Sequence, residues 1–441
     1  MIIHEVETYS ENEMKALQLT RLQETLKRVY GNVPFYHSKF DELGLKPEDI
    51  KTVEDISKLP FTVKADLRNS KPFELFATSM KEVVRIHASS GTSGTPTIVG
   101  YTEGDINNWA DIVARAIAIA GGEADGVFQN AYGYGLFTGG LGLHYGGERL
   151  GMATIPISGG NTTRQINIIE ECKPTVIAGT PSYILRIAEE MESMGKDPLE
   201  SSLKFGIFGA EPWSEELRKV LESKLGIKAC DIYGLSEVMG PGIAMECHEA
   251  QDGLHIAEDH FIVEVINPDT LQPVPDGEEG ELVFTSLTKE ASPVIRYRTG
   301  DIASITRGTC SCGRTTARMS RVKGRIDDML IIRGVNVFPS EIEECLLRNE
   351  DLVPHYQVHL YHEDAMDHVE LHVEINEQIY RNCNDDLKND YIKTVAKNVR
   401  HDMKNYCLVT MKVNVLAPGS IPRSEGKAIR IIDHRKKGLP V

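Results

Sequence analysis

The 441 residues carry 48 basic against 65 acidic side chains, a formal net charge of −17, with 41% hydrophobic and 26% charged residues. A chain so negative excludes nucleic acid as its main partner, and its balance of apolar and charged residues is that of a soluble globular protein long enough for two or three domains. No apolar run reaches a membrane span, residues 1–7 are too acidic for a signal peptide, and eight cysteines are too few for a disulfide framework, so a reducing cytoplasm is expected.

Met14, Leu17, Leu22, Leu26 and Val29 recur at near-helical spacing and predict a helix over residues 11–30, closed by Gly31 and Pro34. Residues 83–88 form an apolar run that reads as a strand. It leads into Ser89, Ser90, Gly91, Thr92, Ser93, Gly94, Thr95, Pro96 and Thr97, a hydroxyl-rich loop with two glycines and no acid. Glycines let consecutive N–H groups face one concavity, and hydroxyls add donors without bulk, which suits a polyphosphate. The loop lacks the Gly-Lys-Ser/Thr ending of the usual ATPase phosphate loop, and a plain polar turn would look much the same. Helices are expected at 107–120, 165–171, 181–194 and 215–225, with strands at 176–179, 203–208 and 228–233. Strands alternating with helices from 83 to 233 predict a mostly parallel sheet with helices on both faces, whose ligands sit at the carboxyl ends of strands.

From 256 to 284 short alternating runs broken by Asn267-Pro268-Asp269 and Pro275-Asp276-Gly277 predict antiparallel hairpins, a β-subdomain. Beyond about 327 a helix at 339–347, strands near 353–360 and 368–375, a helix near 387–404 and a strand near 409–416 fit one small α+β domain. The fold class expected is therefore α/β. A large N-terminal domain (1–326) has mostly parallel sheets flanked by helices plus the β-subdomain, and a small α+β C-terminal domain (327–441) follows the polar joint at 324–328.

Five stretches combine: the loop at 89–97; Phe208-Gly209-Ala210-Glu211-Pro212-Trp213; Tyr233-Gly234-Leu235-Ser236-Glu237; Arg296-Tyr297-Arg298-Thr299-Gly300-Asp301; and residues 324–328 with Lys427 downstream. In order and identity they resemble the adenylate-forming superfamily of acyl-CoA synthetases, most closely the phenylacetate–coenzyme A ligase family. Residues 132–140, 293–298 and 329–339 resemble that family in particular, and the likeness runs from about 35 to 433.

The resemblance implies a two-step reaction at one site: a carboxylate and ATP give an acyl-adenylate and pyrophosphate, and coenzyme A then displaces AMP. It implies that the 89–97 loop wraps the β- and γ-phosphates and that Glu237 helps to hold Mg²⁺, a hard cation that takes few carboxylates. It places Tyr233 on the adenine, with Gly209, Ala210 and Glu211 as the opposite wall and the backbone of Asp231 at the adenine edge. Asp301 would accept the ribose hydroxyls, with Arg325 close by. Lys427 matches the lysine that bridges the acyl carboxylate and α-phosphate, and Asp327 the hinge about which the C-terminal domain swings, bringing the segment near Gly334 to the pantetheine tunnel. Tyr132, Phe137, Gly209 and Ala210 would line a pocket for a flat aryl acid such as phenylacetate. A homodimer enters by analogy only.

Cys310 and Cys312 on one short turn, with Cys247 and a histidine, supply the ligands of a tetrahedral structural zinc; His255 is chosen over His248. Ordinary reduced cysteines are the alternative. Two other functions share these motifs. A related adenylyltransferase would stop at AMP transfer to another acceptor, and a catalytically silent nucleotide sensor would use the same fold without turnover.

Overall fold

The computed structural model describes residues 1–89, 96–332, 335–363 and 366–435. These fall into two compact units, neither contiguous in sequence. The first comprises residues 1–179, 200–210 and 227–321, the second residues 180–199, 211–226 and 322–441.

The first unit is built on a nine-stranded sheet. Ala153–Ile155, Val127–Asn130, Val176–Gly179, Phe205–Gly209 and Lys228–Leu235 run parallel in that spatial order. Val176–Gly179 is buried throughout, as a parallel strand covered on both faces must be. Beyond Lys228–Leu235 the sheet turns antiparallel through Gly240–Glu246, Leu254–Ile256, Arg318–Met319 and Ile305–Thr306. A second antiparallel ladder joins Phe261–Ile266, Gly280–Ser286 and Tyr297–Ala303, which bears out the hairpins expected after residue 256.

Two features differ from the sequence-based expectation and a third was not anticipated by it. Val83–Ala88 is not part of the parallel sheet; it pairs antiparallel with Ile98–Thr102, so the hydroxyl-rich loop joins two strands of a ribbon. The first helix runs through Gly31 to Asn32, and Pro34 then opens a further helix, Pro34–Glu42, where its missing N–H costs nothing. Thr138–Leu150 is helical despite Gly139, Gly140, Gly142, Gly146 and Gly147. Packing explains the last. A Cβ on Gly142 would lie 2.3 Å from the Trp109 ring and one on Gly146 2.3 Å from Val113, both on helix Glu103–Ile119. Glycine costs about 1 kcal/mol relative to alanine in a helix, and here it allows the two helices to touch backbone to side chain.

The second unit holds a four-stranded sheet in the order Lys412–Leu416, Met366–Ile375, Leu352–Glu363, Ile431–Asp433. The central pair is antiparallel and both edges are parallel to their neighbours. Ile342, Leu346, Val395, Val399 and Met403, from helices Pro339–Leu347 and Asp390–Tyr406, bury against Val358, Leu360, Leu371 and Val373 of the sheet. Helices Pro181–Ser193 and Glu215–Leu225 belong to the same unit.

Candidate active site

In the first unit the candidate residues gather at strand ends, as an α/β sheet favours. Of the hydroxyl-rich loop, Ser89 is described and closes the stem: its N–H donates to Thr97 O at 3.0 Å and its Oγ accepts from Thr97 N at 3.2 Å. Ser90, Gly91, Thr92, Ser93, Gly94 and Thr95 lie outside the described residues, as does Gly334.

The stem is tied to the segment that carries Tyr132 and Phe137. Leu136 O accepts from Ala88 N at 3.0 Å and from His87 Nδ1 at 3.0 Å. Burial lowers the His87 pKa, so the imidazole is neutral with its proton on Nδ1. Nothing in the spacing of the sequence marked His87. Its ring meets Tyr101 and Trp109 edge-on, beneath the strand pair that bears the loop. Tyr132 is buried, and Phe137 caps helix Thr138–Leu150 with its ring over Gly139, where a Cβ would come within 2.5 Å. Thr138 Oγ1 lies 3.0 Å from Ser236 Oγ, which joins this helix to the Tyr233–Glu237 turn.

Gly209 ends its strand with no space for a side chain, since a Cβ would sit 2.3 Å from Ile232 O. Ala210 follows at φ +67°, a left-handed conformation that turns the chain away from the sheet. On the next strand Asp231 is buried and its N–H donates to Glu246 Oε2 at 3.0 Å. Tyr233 stacks on Phe284 with ring centroids 5.9 Å apart, and its hydroxyl donates to Asp301 Oδ2 at 2.6 Å. The aromatic face and the carboxylate are thus held together. Asp301 follows Gly300 at φ +77°, and the Thr299 hydroxyl accepts its N–H. Glu237 is 8% exposed and makes no hydrogen bond or ion pair among the described residues. A carboxylate so buried and unpaired asks for a cation.

Cys247, His255, Cys310 and Cys312 offer four ligand atoms within 4.8 Å of one another. Cys247 follows strand Gly240–Glu246, His255 lies on the neighbouring strand opposite Met245, and the other two thiols come from the turn after Ile305–Thr306. His255 Nδ1 is 3.0 Å from Thr316 Oγ1, which turns Nε2 to within 3.4 Å of Cys312 Sγ. His248 stands apart, its Nδ1 donating to Ile119 O at 3.1 Å.

In the second unit Lys427 is exposed on a tight turn whose ends are both tied down. Arg423 pairs with Glu374 at 2.7 and 2.8 Å, and Arg186 Nη1 donates to Arg423 O at 3.3 Å. Glu211 sends its carboxylate to Ser182 N at 2.9 Å, Ser182 Oγ at 2.5 Å and Ala428 N at 2.9 Å. Burial raises the Glu211 pKa. Arg325 is half-buried, and Asp327 is exposed in the short turn Ile326–Asp328. Among the described residues no helix is long and apolar enough to cross a membrane.

The chain is similar to known proteins in sequence and in fold. The model of the AMP-binding enzyme family matches residues 11–288, and that of the AMP-binding enzyme C-terminal domain matches 334–435. The chain is 52% identical over 431 residues to the phenylacetate-coenzyme A ligase of Escherichia coli, covering 98% of this chain and 97% of that one. It is 48% identical over 440 residues to that of Thermus thermophilus, covering 98% and 99%. Among solved structures, 2-hydroxyisobutyryl-CoA ligase in its postadenylation state with 2-HIB-AMP gives a TM-score of 0.91 at 30% identity, covering 98% of this chain and 92% of that one. The same ligase with 2-HIB-AMP and CoA in the thioesterification state gives 0.72.

Proposed function

The chain belongs to the phenylacetate–coenzyme A ligase family of AMP-binding enzymes, and from that premise we propose how its residues divide an ATP-dependent, AMP-forming ligation of an aryl acid, phenylacetate or a close analogue, to coenzyme A. In the first step a carboxylate oxygen of the acid attacks the α-phosphorus of ATP, the bond to the bridging oxygen breaks, and pyrophosphate leaves. In the second the CoA sulfur attacks the acyl carbon, the carbon–oxygen bond to AMP breaks, and the thiol proton is released.

Residues 89–97 hold the β- and γ-phosphates. Tyr233 stacks on adenine against Gly209, Ala210 and the Glu211 backbone, with the Asp231 backbone at the adenine edge. Asp301 accepts the ribose hydroxyls and Arg325 attends them. Lys427 bridges the acid carboxylate and α-phosphate, where its ammonium offsets the charge that develops at the pentavalent centre. Tyr132, Phe137, Gly209 and Ala210 line the acid pocket. Residues 327–441 turn about Asp327 between the steps.

The buried Glu237 carboxylate, unpaired among the described residues, is the observation that supports the magnesium assignment. Mg²⁺ bound there neutralises phosphate oxygens, and the protein supplies one hard ligand, as is usual for this ion with a nucleotide. Three thiols and one neutral imidazole suit zinc, and we assign Cys247, His255, Cys310 and Cys312 to a structural zinc outside the chemistry. All eight cysteines are free, in keeping with a reducing compartment.

Two measurements test this reading. AMP release from ATP and Mg²⁺ across aryl and aliphatic acids is expected only with phenylacetate or a near relative, and only with CoA present. AMP transfer that ignores CoA would favour an adenylyltransferase. Tyr233→Phe removes the donor that orients Asp301 and is expected to raise the KM for ATP roughly 10- to 100-fold, the worth of one hydrogen bond to a charged group. An unchanged KM would separate Asp301 from the ribose.

A further inference from the structure

The backbone on either side of Lys427 is fixed by the side chains of Thr180, Ser182 and Glu211. The Gly426 carbonyl accepts from Thr180 Oγ1 at 2.9 Å and lies 3.2 Å from Ser182 Oγ. The Ala428 N–H donates to Glu211 Oε2 at 2.9 Å. Glu211 Oε1 meanwhile takes the N–H and the hydroxyl of Ser182, in the first turn of helix Pro181–Ser193. One carboxylate therefore joins the start of that helix to the residue after Lys427. Ser424 Oγ donates to Lys427 O at 2.8 Å and closes the turn from within.

We infer that the Glu211 carboxylate, with Thr180 and Ser182, is a latch that sets the position of Lys427 for adenylation and is released before thioester formation. The inference rests on the ligase reading, in which residues 327–441 turn about Asp327 between the steps while Thr180, Ser182 and Glu211, though packed in the same compact unit, belong to the stretch that the AMP-binding enzyme model matches. The geometry suits both demands. Pinning the carbonyl before Lys427 and the amide after it leaves only the flexible side chain to search for the phosphate, which is how a lysine gains a fixed point of action. Every contact is a polar one at the rim of the turn, so water can replace each partner when the segment leaves. Glu211 acts here as a positioning residue: its carboxylate is spent on Ser182 and Ala428.

The two half-reactions are measured separately, on the full chain. Acid-dependent ATP–pyrophosphate exchange reads the step that needs Lys427, and thioester formation from synthetic phenylacetyl-adenylate and CoA reads the step that does not. Glu211→Ala is expected to lower exchange roughly 10- to 100-fold, the cost of misplacing a catalytic group by about an ångström, and to lower thioester formation far less. Thr180→Val, which keeps its shape and loses one donor, is expected to lower exchange about three- to tenfold with the same split. Equal losses in both steps would mean that Glu211 holds the adenylate, and no loss in either would mean that the contacts are incidental; each overturns the latch. If Glu211→Ala lacks a cooperative melting transition, Thr180→Val and Ser182→Ala decide between these outcomes. Wild-type protein that makes no thioester from the adenylate would sink the ligase reading itself, and the latch would then be judged on exchange alone.

Discussion

Lys427→Ala is expected to lower phenylacetate-dependent ATP–pyrophosphate exchange by roughly 10²- to 10³-fold, the usual cost of removing one preorganised donor at a charged transition state. The side chain is exposed on a turn whose two flanking peptide groups are tied down by other residues, so the fold is expected to survive its loss. The KM for ATP is expected to change little, because Tyr233, Asp301 and Glu237 belong to other elements and keep their contacts. An ammonium that matters chiefly when the pentavalent phosphorus forms affects the rate and not the ground-state affinity. Lys427→Arg distinguishes charge from shape: a guanidinium keeps the charge but presents a wide planar fork, so only partial recovery is expected. A variant with normal exchange would remove Lys427 from the chemistry and leave the turn without a purpose.

Much of this arrangement was legible in the sequence, and the reasons are local. Val176–Gly179, Glu215–Leu225 and Pro339–Leu347 fall where periodicity predicts them, because each is a short element whose own residues decide its buried face. The cysteine and histidine set was legible because thiols are few, although Cys-x-Cys is tighter than the usual zinc spacing. Helix Thr138–Leu150 was not, since five glycines give no helical signal until Trp109 and Val113 are seen filling the space that side chains on Gly142 and Gly146 would take. The ribbon of Val83–Ala88 and Ile98–Thr102 was also hidden, because an apolar run shows that a strand forms and not which strand it joins. The Glu211 contact with Ala428 spans 217 residues, and no local pattern announces it. The family resemblance implied Glu211 as a wall of the adenine slot, and no motif announces what its carboxylate holds.

Removal of zinc is the second large effect expected, and it acts on stability. The turn at Cys310 and Cys312 does more than present thiols. Arg314, fully buried two residues on, donates Nε to Glu7 Oε2 and Nη2 to Met1 O. Thr315 donates its N–H to Glu7 O at 3.1 Å and its hydroxyl to Tyr9 O at 2.6 Å. The same turn thus anchors the first ten residues, and through Cys247 it meets the end of strand Gly240–Glu246, whose Glu246 holds Asp231 N. Cross-linking these segments through one ion should stabilise the unit as a disulfide would, by about 2–5 kcal/mol. Chelation, or Cys310→Ser, is therefore expected to lower the melting temperature by roughly 5–10 °C in a protein of this size and to expose residues 1–10 to protease. Exchange activity measured well below the new midpoint should be nearly kept, since no ligand of the metal touches the candidate nucleotide residues. Elemental analysis of protein purified without added zinc should find close to one equivalent. Well under one equivalent, with a melting temperature that chelators do not move, would return the four residues to ordinary reduced cysteines and a core histidine.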